Sequence, residues 1–165
     1  MGCNWSDGGC MITGIVAGQY RTAVASVYKY WRITVTASGS IDTYKAHIAE
    51  AELFNGTSSV SMVGTYTASS SFSGLGPDKA FDGSAATFWS TNSSTLLPQW
   101  IMANLTTAAS ATSIKITSAD NTERALRSPL AFTVEASNNG SMFDTIASFS
   151  GIPAWGVSET REFTF

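Results

Sequence analysis

Ala80-Phe81-Asp82-Gly83-Ser84-Ala85-Ala86-Thr87-Phe88-Trp89 is the most informative stretch of this chain, and Pro98-Gln99-Trp100-Ile101 follows it as an aromatic strand start. Asp82-Gly83 predicts a sharp turn, because glycine adopts the left-handed backbone that such turns need. Phe81 and Trp89 are apolar anchors for the two ends of the loop, and Thr87 offers a hydroxyl and a carbonyl between them. A loop of this kind can wrap a hard cation in oxygen ligands. The plainer alternative is that Asp82 caps the turn by accepting hydrogen bonds from nearby backbone N–H groups.

Outward from this loop the chain alternates as strands do. In Tyr30-Trp31-Arg32-Ile33-Thr34-Val35-Thr36, the residues Trp31, Ile33 and Val35 are separated by polar neighbours, the period of a half-buried strand. Ala46 to Phe54 is apolar and fits a strand or a short helix by propensity, and the Asn55-Gly56 turn signal after it favours the strand. Further strands are predicted at Ser59 to Ala68, Gln99 to Leu105, Thr112 to Ser118, Leu130 to Ser137, Phe143 to Phe149 and Glu159 to Phe165. Asn138-Asn139-Gly140 supplies positive-φ residues for a tight hairpin between two of them. Roughly eight strands without a convincing amphipathic helix predict an all-β, antiparallel β-sandwich. Trp31, Trp89 and Trp100 lie in strand patterns, so each is expected to pack in the core. Residues 1–27, rich in glycine and small apolar residues, follow neither a strand nor a helix period. They are expected to form an N-terminal arm that docks on another protein, leaving 28–165 as the single sandwich domain.

Composition narrows the partners. The chain is 44% hydrophobic and only 13% charged, so its polarity comes from Ser and Thr hydroxyls, a balance like that of extracellular and virion β-proteins. With a net charge of −3 and nine scattered Lys and Arg residues, it has no electrostatic footprint for nucleic acid. Gln19 and Arg21 interrupt the longest apolar stretch, which excludes membrane insertion by a helix. Met1 to Cys10 lacks a basic segment and carries Asp7, so it does not read as a secretory signal. Cys3 and Cys10 fit a disulfide or two free thiols equally well. The sequons at Asn4, Asn55, Asn92, Asn104 and Asn139 matter only in a eukaryotic secretory pathway. The sequence holds no nucleophile elbow, phosphate loop, His-rich metal set or Cys/His pair, and a non-catalytic protein is expected. His47, the single histidine, is assigned no role.

The segments Ala80 to Trp89, Gln99 to Leu105 and Ser137 to Gly140 resemble the discoidin family, which includes coagulation-factor C domains and the family 32 carbohydrate-binding modules. Those domains share an Ala-x-Asp-Gly turn, a Thr-x-Trp, an aromatic strand start and a later Ser-x-x-Gly hairpin. The resemblance covers about residues 28–165 and implies a jelly-roll, galactose-binding-like sandwich. One departure is Asn104-Leu105-Thr106, where the family usually has Asp-Leu-Gly. Strands like Tyr30 to Val35 and Ile48 to Leu53 normally end the family's domain, whereas here they precede the turn. The resemblance therefore implies circular permutation, as in phage tail or fibre proteins, with Tyr30 to Val35 pairing beside Glu159 to Phe165 within one sandwich or, in a swapped version, with a neighbouring subunit.

The resemblance further implies a structural calcium held by the carbonyls of Lys79 and Ser84 and by the side chains of Asp82, Thr87 and Glu50. It also implies glycan contacts on loops at one end of the sandwich. Asn121, Arg124 and Arg127 in the loop Asp120 to Ser128, and Trp155 in a Gly/Pro-bounded loop, are the candidates. Ordinary surface arginines and a tryptophan covering the core edge would look the same in sequence. Two functions follow as expectations. One is a multicopy carbohydrate- or receptor-binding module of a phage tail, fibre or spike, taking a host-surface glycan and other virion proteins as partners. The other is a purely structural virion decoration or adaptor. The expected location is the virion, with an extracellular setting as the alternative.

Overall fold

A computed structural model describes residues 26–39, 46–93 and 95–165. The expected arm lies outside these residues except for its last two positions, and so do Cys3 and Cys10. The described chain is an antiparallel β-sandwich, consistent with the expected galactose-binding-like fold. One sheet has five strands in the order β10-β9-β1-β7-β5: β10 (Asp144–Phe149), β9 (Pro129–Ser137), β1 (Tyr28–Ser38), β7 (Gln99–Ala109) and β5 (Gly64–Ala68). The facing sheet has the order β11-β8-β3-β4: β11 (Thr160–Thr164), β8 (Ser113–Thr117), β3 (Glu50–Asn55) and β4 (Ser58–Ser59). A small ladder joins β2 (His47–Ile48) to β6 (Trp89–Ser90).

The strand period sets which side chains face inward. Trp31, Ile33 and Val35 on β1 are buried beside Ile101, Ala103 and Leu105 of β7 and Phe132, Val134 and Ala136 of β9. Leu53 of β3 and Ile114 and Ile116 of β8 meet them from the other sheet. Each such side chain contributes about 1.5–3 kcal/mol on full burial, which makes this face of each sheet the source of stability. Trp89 is fully buried, but Trp100 departs from expectation: it pairs with Thr34 and is only half-buried on the outer face. There the Arg32 guanidinium lies 3.9 Å from the Phe143 ring centre and 5.9 Å from that of Trp100, and both of its ends bind Glu135. Burial alone would raise the Glu135 carboxyl, but hydrogen bonds from Arg32 and Thr34 hold it below the ordinary range.

The pairing of Tyr30 to Val35 with Glu159 to Phe165 is overturned. β1 pairs with β7 and β9, and β11 pairs with β8 in the other sheet. The two segments meet across the core instead, with Trp31 and Phe165 stacked at 6.4 Å. Alternation predicts which face a strand buries but not which strand lies at its edge. The hairpin after β9 is also looser than expected. Only Gly140 of the Asn138-Asn139-Gly140 trio has positive φ, +71°. The Asn139 side chain organises the remainder by accepting the N–H groups of Ser141 and Met142.

Strand directions define two poles. The β3–β4 turn, the β7–β8 connection and the start of β1 lie together at one pole, where Asn55 hydrogen-bonds Ser110. The end of β1 and the loops after β5, β8 and β10 lie at the other, where the functional candidates gather.

Candidate functional site

A 3-10 turn at Pro77–Ala80 leads into Asp82-Gly83, where Gly83 has φ +76°, a conformation strained for any L side chain. The Thr87 hydroxyl lies at the centre of the loop that follows. It is 2.7 Å from Asp82 Oδ2, 3.1 Å from the Ser84 carbonyl and 3.4 Å from the Lys79 carbonyl. A hydroxyl has one proton, so it can satisfy only one of these three acceptors at a time. Glu50, from β3, completes the group: its Oε2 shares the Ser84 N–H with Asp82 Oδ1, each at 3.0 Å. All five residues expected around a cation therefore come together, with oxygen acceptors in excess over donors.

Electrostatics points the same way. Burial raises the Glu50 carboxyl to about 7, against the backbone N–H groups of Gly83 and Ser84, and the Asp82 charge adds to the rise. The Tyr66 hydroxyl is pushed up as well, by burial and then by the charges of Glu50, Asp78 and Asp82. The mixed carboxylate, carbonyl and hydroxyl set of this loop suits a hard cation such as calcium. It differs from a side-chain cluster, and no group of three or more His, Cys, Asp or Glu able to hold a metal occurs among the described residues.

The second candidate group sits on the loop after β8. Asn121 caps the short helix α1 (Thr122–Ala125), its side-chain oxygen accepting the Arg124 N–H at 2.9 Å. Arg124 binds Asp120 at 2.8 Å, and its guanidinium lies 4.9 Å from the Phe88 ring centre with the side chain 39% exposed. Arg127 is half-buried, and its carbonyl accepts the His47 N–H at 2.9 Å, tying this loop to β2. Trp155 does not join them on the surface. It is 5% exposed, donates its indole N–H to the Pro129 carbonyl, and belongs to the main core. The expectation of an exposed indole face is corrected accordingly.

Arg161 accounts for that burial, and sequence reasoning gave it no role. Its guanidinium binds Glu159 and the carbonyls of Pro153 and Ala154, and lies 4.4 Å from the Trp155 ring centre. It thereby fastens the loop after β10 over the indole. Phe88 was also passed over. It follows Thr87 directly, is buried, and carries Arg124 on its ring with His47 packed at 4.9 Å. Its place inside the most informative segment was the available signal.

The fold and these loops define a galactose-binding-like β-sandwich. A comparison with known families matches residues 79–165, more than half of the chain, to the NedA-like, galactose-binding domain. The chain belongs to that family. The match begins at Lys79 and includes Asp82, Ser84, Thr87 and the Arg124 loop, while Glu50 lies outside it. No curated protein and no solved structure matches the chain.

Proposed function

We propose that this protein is a non-catalytic carbohydrate-binding module displayed in many copies on a virion, with a structural calcium held by Glu50, Lys79, Asp82, Ser84 and Thr87. The observation that carries the glycan reading is Arg124, whose part-exposed guanidinium is held on a loop braced by Phe88 and Asp120 in a galactose-binding-like domain. A guanidinium is a donor suited to the hydroxyls of a sugar. The low charge and abundant hydroxyl side chains support a virion setting. A permuted strand order stays in this reading on one ground: Glu50, from an early strand, stands beside the turn at 82–84. Individual sites of low affinity suffice when display is multivalent, because linked sites raise avidity by about 10² to 10⁴.

The test is binding of the native assembly to host cells and a glycan array, with an Arg124→Ala assembly of matched stability beside it. Loss of binding in the variant supports the reading. If the native assembly binds nothing, the reading fails, and a structural decoration or adaptor takes its place. That second reading draws support from the burial of Trp155, which removes one aromatic surface from the loops.

A further inference from the structure

The cation loop and the Arg124 loop share a small apolar cluster separate from the main core. It consists of Ala49, Phe88 and Ala119, all buried, with Leu75 packed against them. Each buried member is the chain neighbour of a functional group: Ala49 of Glu50, Phe88 of Thr87, and Ala119 of Asp120, the ion-pair partner of Arg124. The Phe88 ring bridges them, with Arg124 on one side and His47 on another. The backbone is tied in as well, since Ala49 N–H donates to Thr117 and His47 N–H donates to Arg127.

We propose that cation occupancy at Glu50, Asp82 and Thr87 and ligand capture at Arg124 are coupled through Phe88, so that calcium regulates the glycan site. The sugar part of this inference rests on the glycan reading above. Without a cation, Thr87 donates its proton to Asp82, the shortest of its three contacts. As a ligand, Thr87 must turn one of its two lone pairs towards the cation, which reorients the hydroxyl among its present acceptors. Adjacent Cα atoms are about 3.8 Å apart, so Phe88 follows any shift at Thr87. A close-packed cluster passes such a shift on rather than absorbing it. Because Ala49 and Phe88 flank two ligands on separate segments, Glu50 at the start of β3 and Thr87 in the loop before β6, closing the cation site presses both against Ala119 and the Arg124 loop. Coupling between two binding equilibria is reciprocal, so the glycan strengthens calcium binding by the same factor.

The experiment uses the full chain, isotope-labelled for NMR, with calcium chloride and methyl β-galactoside as probes. Calcium alone is expected to move the amide resonances of residues 119–127 together with those of 79–88. Shifts confined to Glu50 and 79–87 overturn the coupling and leave the glycan reading untouched. Methyl β-galactoside is expected to bind about fivefold or more tightly in calcium than in chelator. Equal affinity in the two conditions also overturns the coupling, and no galactoside binding in either overturns the proposal, while the glycan array with the native assembly decides the glycan reading. A Phe88→Leu chain keeps every cation ligand. It is expected to bind calcium while its 119–127 amides no longer respond, and an undiminished response there overturns the role of Phe88.

Discussion

Calcium affinity is expected to fall steeply below neutral pH, because Glu50 must lose its proton to act as a ligand. Burial places that carboxyl at about 7 in the ion-free protein. It is then about nine-tenths ionised at pH 8 and about one-tenth ionised at pH 6, so the calcium Kd should weaken about tenfold between them. Stability without the ion should run the other way. The folded state holds a proton on Glu50 that the unfolded chain, at its ordinary 4.5, has released. The benefit is present below that value and is lost as pH rises to about 7. At about 1.4 kcal/mol per pH unit the loss is at most about 3 kcal/mol, and solvent screening brings it to about 1–2 kcal/mol. That corresponds to a fall in Tm of about 3–6 °C between pH 4.5 and 7.5 in chelator. Calorimetric calcium titration at pH 6 and pH 8 and melting curves in chelator measure the two effects, with Glu50→Gln expected to flatten both. A Kd that is the same at both pH values, or a Tm slope shared by wild type and Glu50→Gln, refutes the assignment.

Thr87→Val should weaken calcium binding and cost about 1–3 kcal/mol in denaturant unfolding, because it leaves Asp82 and two carbonyls without their shared donor; an unchanged midpoint would show that the hydroxyl is dispensable. Trp155→Ala should destabilise the fold by about 3–5 kcal/mol, as removal of a large buried aromatic does, and a loss under about 1 kcal/mol would contradict its place in the core. Arg124→Ala should change stability by less than about 1 kcal/mol, since its pairing with Asp120 is exposed to solvent, and a larger loss would mark it as structural. A chain starting at residue 26 should still fold by circular dichroism, because the buried core of the described residues begins at Trp31; an unfolded product would make residues 1–25 part of that core.

Local pattern carried much of this protein. The period-2 runs at Trp31, Ile33, Val35 and at Ile101, Ala103, Leu105 reveal strands and their buried faces, because a strand's alternation is imposed by its own backbone. The Asp82-Gly83 turn and the oxygen groups gathered around it were legible for a related reason. Lys79, Asp82, Ser84 and Thr87 lie within nine residues, so the short loop brings them together whatever the remainder of the chain does. The Lys79 and Ser84 carbonyls and Glu50 were reached only through the family resemblance. Tertiary structure alone decided which strands share a sheet, as the separation of β1 from β11 demonstrates: edge choice depends on the summed packing of both sheets. It also decided the fates of the loop aromatics. Trp155 was buried against Phe163 and beneath Arg161, with its indole N–H on the Pro129 carbonyl, and Phe88 was set beneath Arg124 of α1, thirty-odd residues along the chain. Such contacts join residues that have no common period, so no local reading of the chain contains them.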